Sequence, residues 1–370
     1  MSLPYRIVIS GYVGFGNVGD EAILTATVRE LRSVLPDVEL VVLSANPAAT
    51  SRQHGVASVH RLHPLPALLR SDLLLFGGGG LLQDYTSQRS LLYYLGIITT
   101  ARLLGKRTMV YANSIGPVLR PSSARLVRLV LNGVDAITVR DRASADELSR
   151  LGVSGPPVAV TADPALLLPA VDEDQGRAFC RAQGIDPDRG PVVAISIRPW
   201  RTQGYVEGVA RLADHLAQAH GAQVVFFPVQ PGQDGPVLRQ TASLMEEPSR
   251  VLSEDIGLQG VLSLLSVASL AVGMRLHALI FSLVQATPAM GIIYDPKVEH
   301  FLTDTGMPSL GTASAFDAAA AAEAVDRLWP SLPERRRELQ AQREAARARA
   351  RENVDWVARL LQSEGRGHER

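Results

Sequence analysis

A chain of 370 residues is too long for one ordinary domain and fits two, and with 46% hydrophobic and 20% charged residues it is built to bury cores. Thirty-seven basic residues cancel 37 acidic ones, so no overall field steers it to nucleic acid, and the composition excludes a disordered or fibrous protein. The single cysteine, Cys180, excludes an internal disulfide and a cysteine-rich metal cluster.

The opening MSLPYRIVISG runs straight into a strand pattern, without the basic start and long apolar stretch of a signal peptide. No window reaches the ~18 continuous apolar residues of a membrane span, and the candidate LLSVASLAVG stops at Met274-Arg275. A cytoplasmic protein is expected. Strands are predicted at Arg6–Gly11, Glu39–Ser44, Asp72–Phe76, Thr108–Ala112, Asp135–Val139 and Val158–Thr161. A second set follows at Val192–Ile197, Gln223–Pro228, Leu270–Gly273 and Ala289–Tyr294. Amphipathic segments such as Asp20–Leu35, Ser122–Leu131, Val206–His220 and Leu276–Gln285 separate them, the alternation of parallel sheets covered by helices. The stretch Leu166–Gly190 reads as a junction with one helix. Residues 1–170 are therefore predicted as an N-terminal Rossmann-like domain, 171–332 as a second one, and 333–370 as a C-terminal helix and tail. Two such α/β domains suggest a glycosyltransferase-B-like architecture, with the active site at the carboxyl ends of the sheets.

Chemistry-bearing residues fall at those strand ends. The first loop, GYVGFGNVGDEAIL, places Gly16, Asn17 and Asp20 after the first strand, with Asp20 expected to cap a helix from Glu21. GFGNVG matches a bare dinucleotide pattern, which alone is weak, and a tight turn explains the loop almost as well. Four successive glycines, Gly77–Gly80, follow the third strand. Either a ligand or a neighbouring loop comes close, with Gly78 and Gly79 as candidate substrate-binding positions, or the turn requires positive φ at several positions. Arg140 and Asp163 end later strands, although Arg140-Asp141-Arg142 could equally form a solvated charge cluster. In the second half Arg275 and His277 open a helix and Lys297 follows a strand. Together they suit a phosphate and a carboxylate on one small molecule. His54, His60, His63, His215, His220 and His368 read as structural. There is no HExxH, no strand-end DxD, no P-loop GK[ST] and no GxSxG elbow, so no metal site and no cofactor are expected.

GNVGDEAIL, FGGGGLLQD, VRDRAS, GMRLHALI and YDPKV, in that order from Ile7 to about Gly306, resemble the polysaccharide pyruvyl transferases, most closely their CsaB-like branch. The resemblance implies phosphoenolpyruvate as donor and a sugar acceptor. In that branch the acceptor is N-acetylmannosamine of a lipid-linked secondary cell-wall polysaccharide precursor, built at the inner face of the membrane; the finished glycan anchors surface-layer proteins. It carries functional roles onto Asp20, Arg140, His277 and Lys297, with Arg275 preceding the histidine. A nucleotide-sugar glycosyltransferase and a non-catalytic sugar- or nucleotide-binding protein are the alternatives. The helix Glu334–Leu361, with seven arginines against three glutamates in Glu334–Arg351, has two readings. One is a brace on the N-terminal domain through Leu339, Val354, Trp356, Val357 and Leu360. The other is a basic face in weak peripheral contact with anionic lipid.

Overall fold

The computed structural model describes residues 4–85, 87–202, 204–253 and 256–362; His368 and the end of the tail lie outside them. It forms two compact units. Unit 1 takes the described residues up to Phe15, then Asp20–Leu167 and Ala346 onward, and unit 2 takes Gly16–Gly19 and Leu168–Ala345.

Unit 1 alternates β1 (Arg6–Ser10), α1 (Val18–Val34), β2 (Glu39–Ser44), α2 (Pro47–His54), β3 (Ala57–His60), α3 (Leu65–Leu69) and β4 (Leu73–Gly77). It continues with α4 (Gln88–Leu103), β5 (Arg107–Asn113), α5 (Pro121–Leu131), β6 (Ala136–Val139), α6 (Arg142–Arg150) and β7 (Val158–Val160). The strands form one parallel sheet in the order β3-β2-β1-β4-β5-β6-β7. Alternate strand residues face opposite layers. Val8, Leu74, Phe76 and Val110 pack toward α4 and α5, while Ile7, Ile9, Leu73, Leu75 and Met109 pack toward α1 and the C-terminal helix.

Unit 2 contains α7 (Glu173–Ala182), β8 (Val192–Ser196), α8 (Gly204–His220), β9 (Gln223–Phe226), α9 (Pro231–Ser243), β10 (Ser249–Val251) and α10 (Gly257–Val267). After these come β11 (Leu270–Gly273), α11 (Leu276–Val284), β12 (Ala289–Ile293), α12 (Pro296–Thr305), β13 (Ser309–Thr312) and α13 (Ala318–Leu328). Its parallel sheet runs β10-β9-β8-β11-β12-β13. Strand order reverses between β1 and β4 in unit 1 and between β8 and β11 in unit 2. At such points neighbouring connections leave on opposite faces and open a crevice at the carboxyl ends.

Three strands escape the sequence prediction: β3, β10 and β13. Each is an edge strand of three or four residues with one neighbour, so none carries the continuous apolar run of a central strand. The C-terminal helix α14 is one continuous element, Leu332–Gln362, of 31 residues. Its first part belongs to unit 2 and its last part to unit 1. No helix among the described residues is long and apolar enough to cross a membrane.

Candidate active site

In unit 1 the loops after β1 and β4 meet at the switch point. Helix α1 starts at Val18 rather than at Glu21, so Asp20 sits in its first turn and is not the cap. The expected capping role falls to Asn17, whose Oδ1 accepts the Gly19 N–H at 2.9 Å. Gly78 and Gly79 adopt φ of +82° and +76°, and a Cβ on Gly79 would lie 2.9 Å from Asp20 Oδ1. Both reasons offered for these glycines therefore operate: left-handed backbone, and close approach of a neighbouring group. Asp20, Tyr12, Thr27, Gly77, Gly78 and Tyr111 help to line a cavity of about 20 Å³, the size of one water molecule.

Arg140 does not join a solvated cluster. Its side chain is only 5% exposed; Nη1 donates to Asp163 Oδ2 and Nε to Ser114 Oγ, both at 2.6 Å. The Ser114 hydroxyl donates in turn to Asp141, which caps α6 through the Ser144 N–H. Charge-assisted bonds of this kind fix the guanidinium plane at the carboxyl ends of β6 and β7.

In unit 2 the carboxyl ends of β8, β11 and β12 carry the corresponding groups. Arg275, the residue before α11, is 7% exposed and makes a forked pair with the fully buried Asp234 of α9. Asp234 also accepts the backbone N–H groups of Val229 and Gln230, at 3.1 and 2.8 Å. His277 lies in the first turn of α11, its ring tilted against Phe281 with centroids 5.9 Å apart. Gly19 packs against the same imidazole: a Cβ there would stand 2.0 Å from Nδ1. The segment carrying Asn17 is held by a hydrogen bond from Val18 N–H to Val229 O at 2.9 Å, and Gly16 adopts φ of +72°. Lys297 opens α12 behind its cap Asp295, with Nζ 3.6 Å from that carboxylate and 5.9 Å from the Tyr294 ring centre.

The expected cationic cluster thus differs in detail. Arg275 is paired with Asp234 and Lys297 with Asp295, so neither cation stands uncompensated. One group escaped the sequence reading. Arg198, just past β8, lies 4.8 Å over the Tyr294 ring and donates Nη1 to its hydroxyl at 3.2 Å, with Trp200 alongside. Its signal was the predicted strand Val192–Ile197, which an arginine immediately follows. His215 and His220, read as structural, both place Nε2 2.8 Å from Asp326 Oδ1; these bonds, His215 first, hold the carboxyl below its ordinary value. They lie on α8 and α13, away from the carboxyl edge. His54 likewise serves structure, bonding Glu21 at 2.8 Å.

Two parallel sheets that share the order 3-2-1-4-5-6 over six strands, each with polar groups at its switch point, make a glycosyltransferase-B-like fold. The chain belongs to the polysaccharide pyruvyl transferase family, whose profile matches residues 17–296. Similar solved structures include HepE of Anabaena in complex with UDP and glucose (12% identity, 97% of this chain and 100% of that one, TM-score 0.66). A putative UDP-N-acetylglucosamine 2-epimerase of Listeria monocytogenes aligns at 10% identity over 99% and 98% of the two chains, with TM-score 0.67. MnaA of S. aureus with UDP aligns at 11% identity over 97% and 96%, with TM-score 0.66. At these identities the likeness is one of fold.

Proposed function

We propose that the protein transfers the enolpyruvyl unit of phosphoenolpyruvate to two hydroxyls of one sugar, giving a cyclic pyruvate ketal and inorganic phosphate. Membership of the pyruvyl transferase family carries this reading, and the donors at the strand ends of unit 2 fit an anionic substrate. Protonation of the donor's methylene carbon makes C2 electrophilic, and a first hydroxyl adds there. Loss of phosphate, driven by the new alkoxy oxygen, is followed by attack of a second hydroxyl of the same sugar, which closes the ring. Of the two hydroxyl protons one ends on the new methyl group and the other on phosphate, so the reaction balances without a metal or redox partner.

His277 is proposed to donate the proton or hold the phosphate, because imidazole serves either role near neutral pH. Lys297 and Arg275 bind the donor's anionic groups, with Arg198 added to that set. In unit 1 Asp20 is proposed as base or acceptor-binding carboxylate. Arg140, fastened to Asp163, acts by fixed direction and not as a mobile clamp. Gly16, Asn17, Gly78 and Gly79 let backbone approach the substrates. The acceptor is proposed to be N-acetylmannosamine of a lipid-linked cell-wall polysaccharide precursor, which places the reaction in the cytoplasm at the inner membrane face and serves surface-layer anchoring.

The test is phosphate release from phosphoenolpyruvate with candidate sugars, in excess chelator. Acceptor-dependent release supports the reading. Release of a nucleotide from a nucleotide sugar, with none from phosphoenolpyruvate, assigns a glycosyltransferase; no turnover with either assigns a binding protein.

A further inference from the structure

Four arginines of α14 are engaged within the protein. Arg335 pairs with Glu338, Arg336 donates to Ala268 O, Arg343 to Val284 O, and Arg351 pairs with Glu30. Val354 and Val357 are fully buried in the core of unit 1 with Trp356 and Leu360 against it, whereas Leu339 belongs to unit 2 and does not brace the N-terminal domain. A different surface has the features of a lipid-facing one. In a chain whose charges cancel, residues 85–134 contain seven basic residues and no Asp or Glu. This stretch builds α4, β5 and α5, and on its two helices the bases are interleaved with exposed leucines.

Leu92, Leu103, Leu119, Leu126 and Leu129 are 45%, 83%, 68%, 39% and 71% exposed. Isolated exposed leucines are ordinary; four on two adjacent helices, with Leu119 just before the second, are not. Leu92 and Leu103 are eleven residues apart on α4, about three turns, so they share one stripe. Leu126 and Leu129 share the outer face of α5, which packs beside α4 through an Arg102 Nη1 bond to Val130 O at 3.2 Å. Arg89, Arg102, Arg120, Arg125 and Arg128 are also exposed. The opposite side of the same helices is core: Leu91, Leu95, Ile98, Val127 and Leu131 are buried.

We propose that the α4–α5 face of unit 1 docks the protein on an anionic lipid bilayer, with the arginines on headgroups and the leucines in the interfacial layer. Charge complementarity selects this occupant. The bases of this stretch, which has no acidic residue of its own, suit anionic headgroups, and exposed leucines among them add apolar contact that a purely electrostatic partner would not use. Such docking would hold the enzyme where lipid-linked substrates are. Binding to lipid is separable from the chemistry, so its failure leaves the pyruvyl-transfer reading intact.

The experiment is cosedimentation of the full chain with vesicles of phosphatidylcholine containing about one third phosphatidylglycerol, at low salt and at 0.5 M salt, without donor or acceptor. Arg125→Glu/Arg128→Glu and Leu103→Ser/Leu129→Ser are compared with Arg337→Glu/Arg349→Glu on α14. Expected are salt-sensitive binding of the wild type, retention in the α14 variant, and a loss of at least about tenfold in the α5 charge variant. The leucine pair is expected to lose partition that salt does not restore. Circular dichroism of each variant verifies folding. No wild-type binding at low salt overturns the proposal, as does wild-type binding by the α5 charge variant or loss confined to the α14 variant. Self-association abolished by the leucine changes, without vesicle binding, would make the face a protein interface instead.

Discussion

Arg275 directs Nε at both carboxylate oxygens of Asp234, at 3.0 and 2.9 Å, and Asp234 is fully buried. Removing one member of such a pair strands the other's charge in a low-dielectric interior. Asp234→Ala is therefore expected to lose about 3–5 kcal/mol of stability, read by urea unfolding. Arg275→Ala should be destabilised comparably, so its activity is interpretable only with a folding control. An Asp234→Ala variant as stable as the wild type would show that the pair is solvated.

Gly19 and His277 supply a prediction on activity. An alanine methyl would stand 2.0 Å from Nδ1, so the imidazole or the start of α1 must move. Gly19→Ala is expected to lower turnover at least about tenfold, as misplacement of a catalytic group does. Gly221→Ala, past the end of α8 and outside the site, would meet nothing within 4 Å and bears only the strain of its φ of +62°. Equal activities for the two variants would separate the Gly19 contact from function.

His277→Ala is expected to lose about 10²–10⁴ in turnover with an unchanged melting temperature, the range for a positioned acid–base group. Wild-type turnover in that variant would remove the imidazole from the mechanism.

Glu30 is a pH-dependent fastener for the end of α14. Burial pushes its carboxyl up, but hydrogen bonds from Arg29 and Arg351 outweigh burial and hold it below the ordinary 4.5. A carboxyl depressed in the folded state stabilises it above the unfolded value, and that contribution fades as pH falls through the lower folded value. Glu30→Gln should thus be less stable than the wild type at pH 7, with the gap closing below about pH 4. A gap that does not change with pH would trace it to packing.

Cys180 is fully buried in α7, and burial pushes its thiol up to about 11. Native protein at pH 8 should resist thiol reagents, with labelling following unfolding in urea. Rapid labelling of native protein would reveal local opening of α7.

Central strands such as Val192–Ile197 were legible because burial on both faces demands an unbroken apolar run. The edge strands Ala57–His60 and Ser309–Thr312 demand none and were invisible. Strand-end polar residues were legible one by one, since position after a buried run marks Arg140, His277 and Lys297. Their partners were not. Asp234 lies 41 residues from Arg275, in the glycine- and proline-rich start of α9, and only the fold brings it to the guanidinium. Arg198 went unnoticed because in an arginine-rich chain one more arginine carries no signal without its aromatic neighbours.

The core of unit 1 closes with residues made long after its sheet. Val354, Val357 and Leu361 fill it beside Leu31 and Val42, and Asn353 Oδ1 accepts the Thr161 hydroxyl at 2.8 Å. Domains ordinarily fold in the order of their synthesis, the N-terminal one first. Here the sheet of unit 1 stays covered only in part on its α1 face until translation has passed residue 361. A nascent chain truncated within unit 2 would expose that apolar face, and so present itself to chaperones and proteases as unfinished.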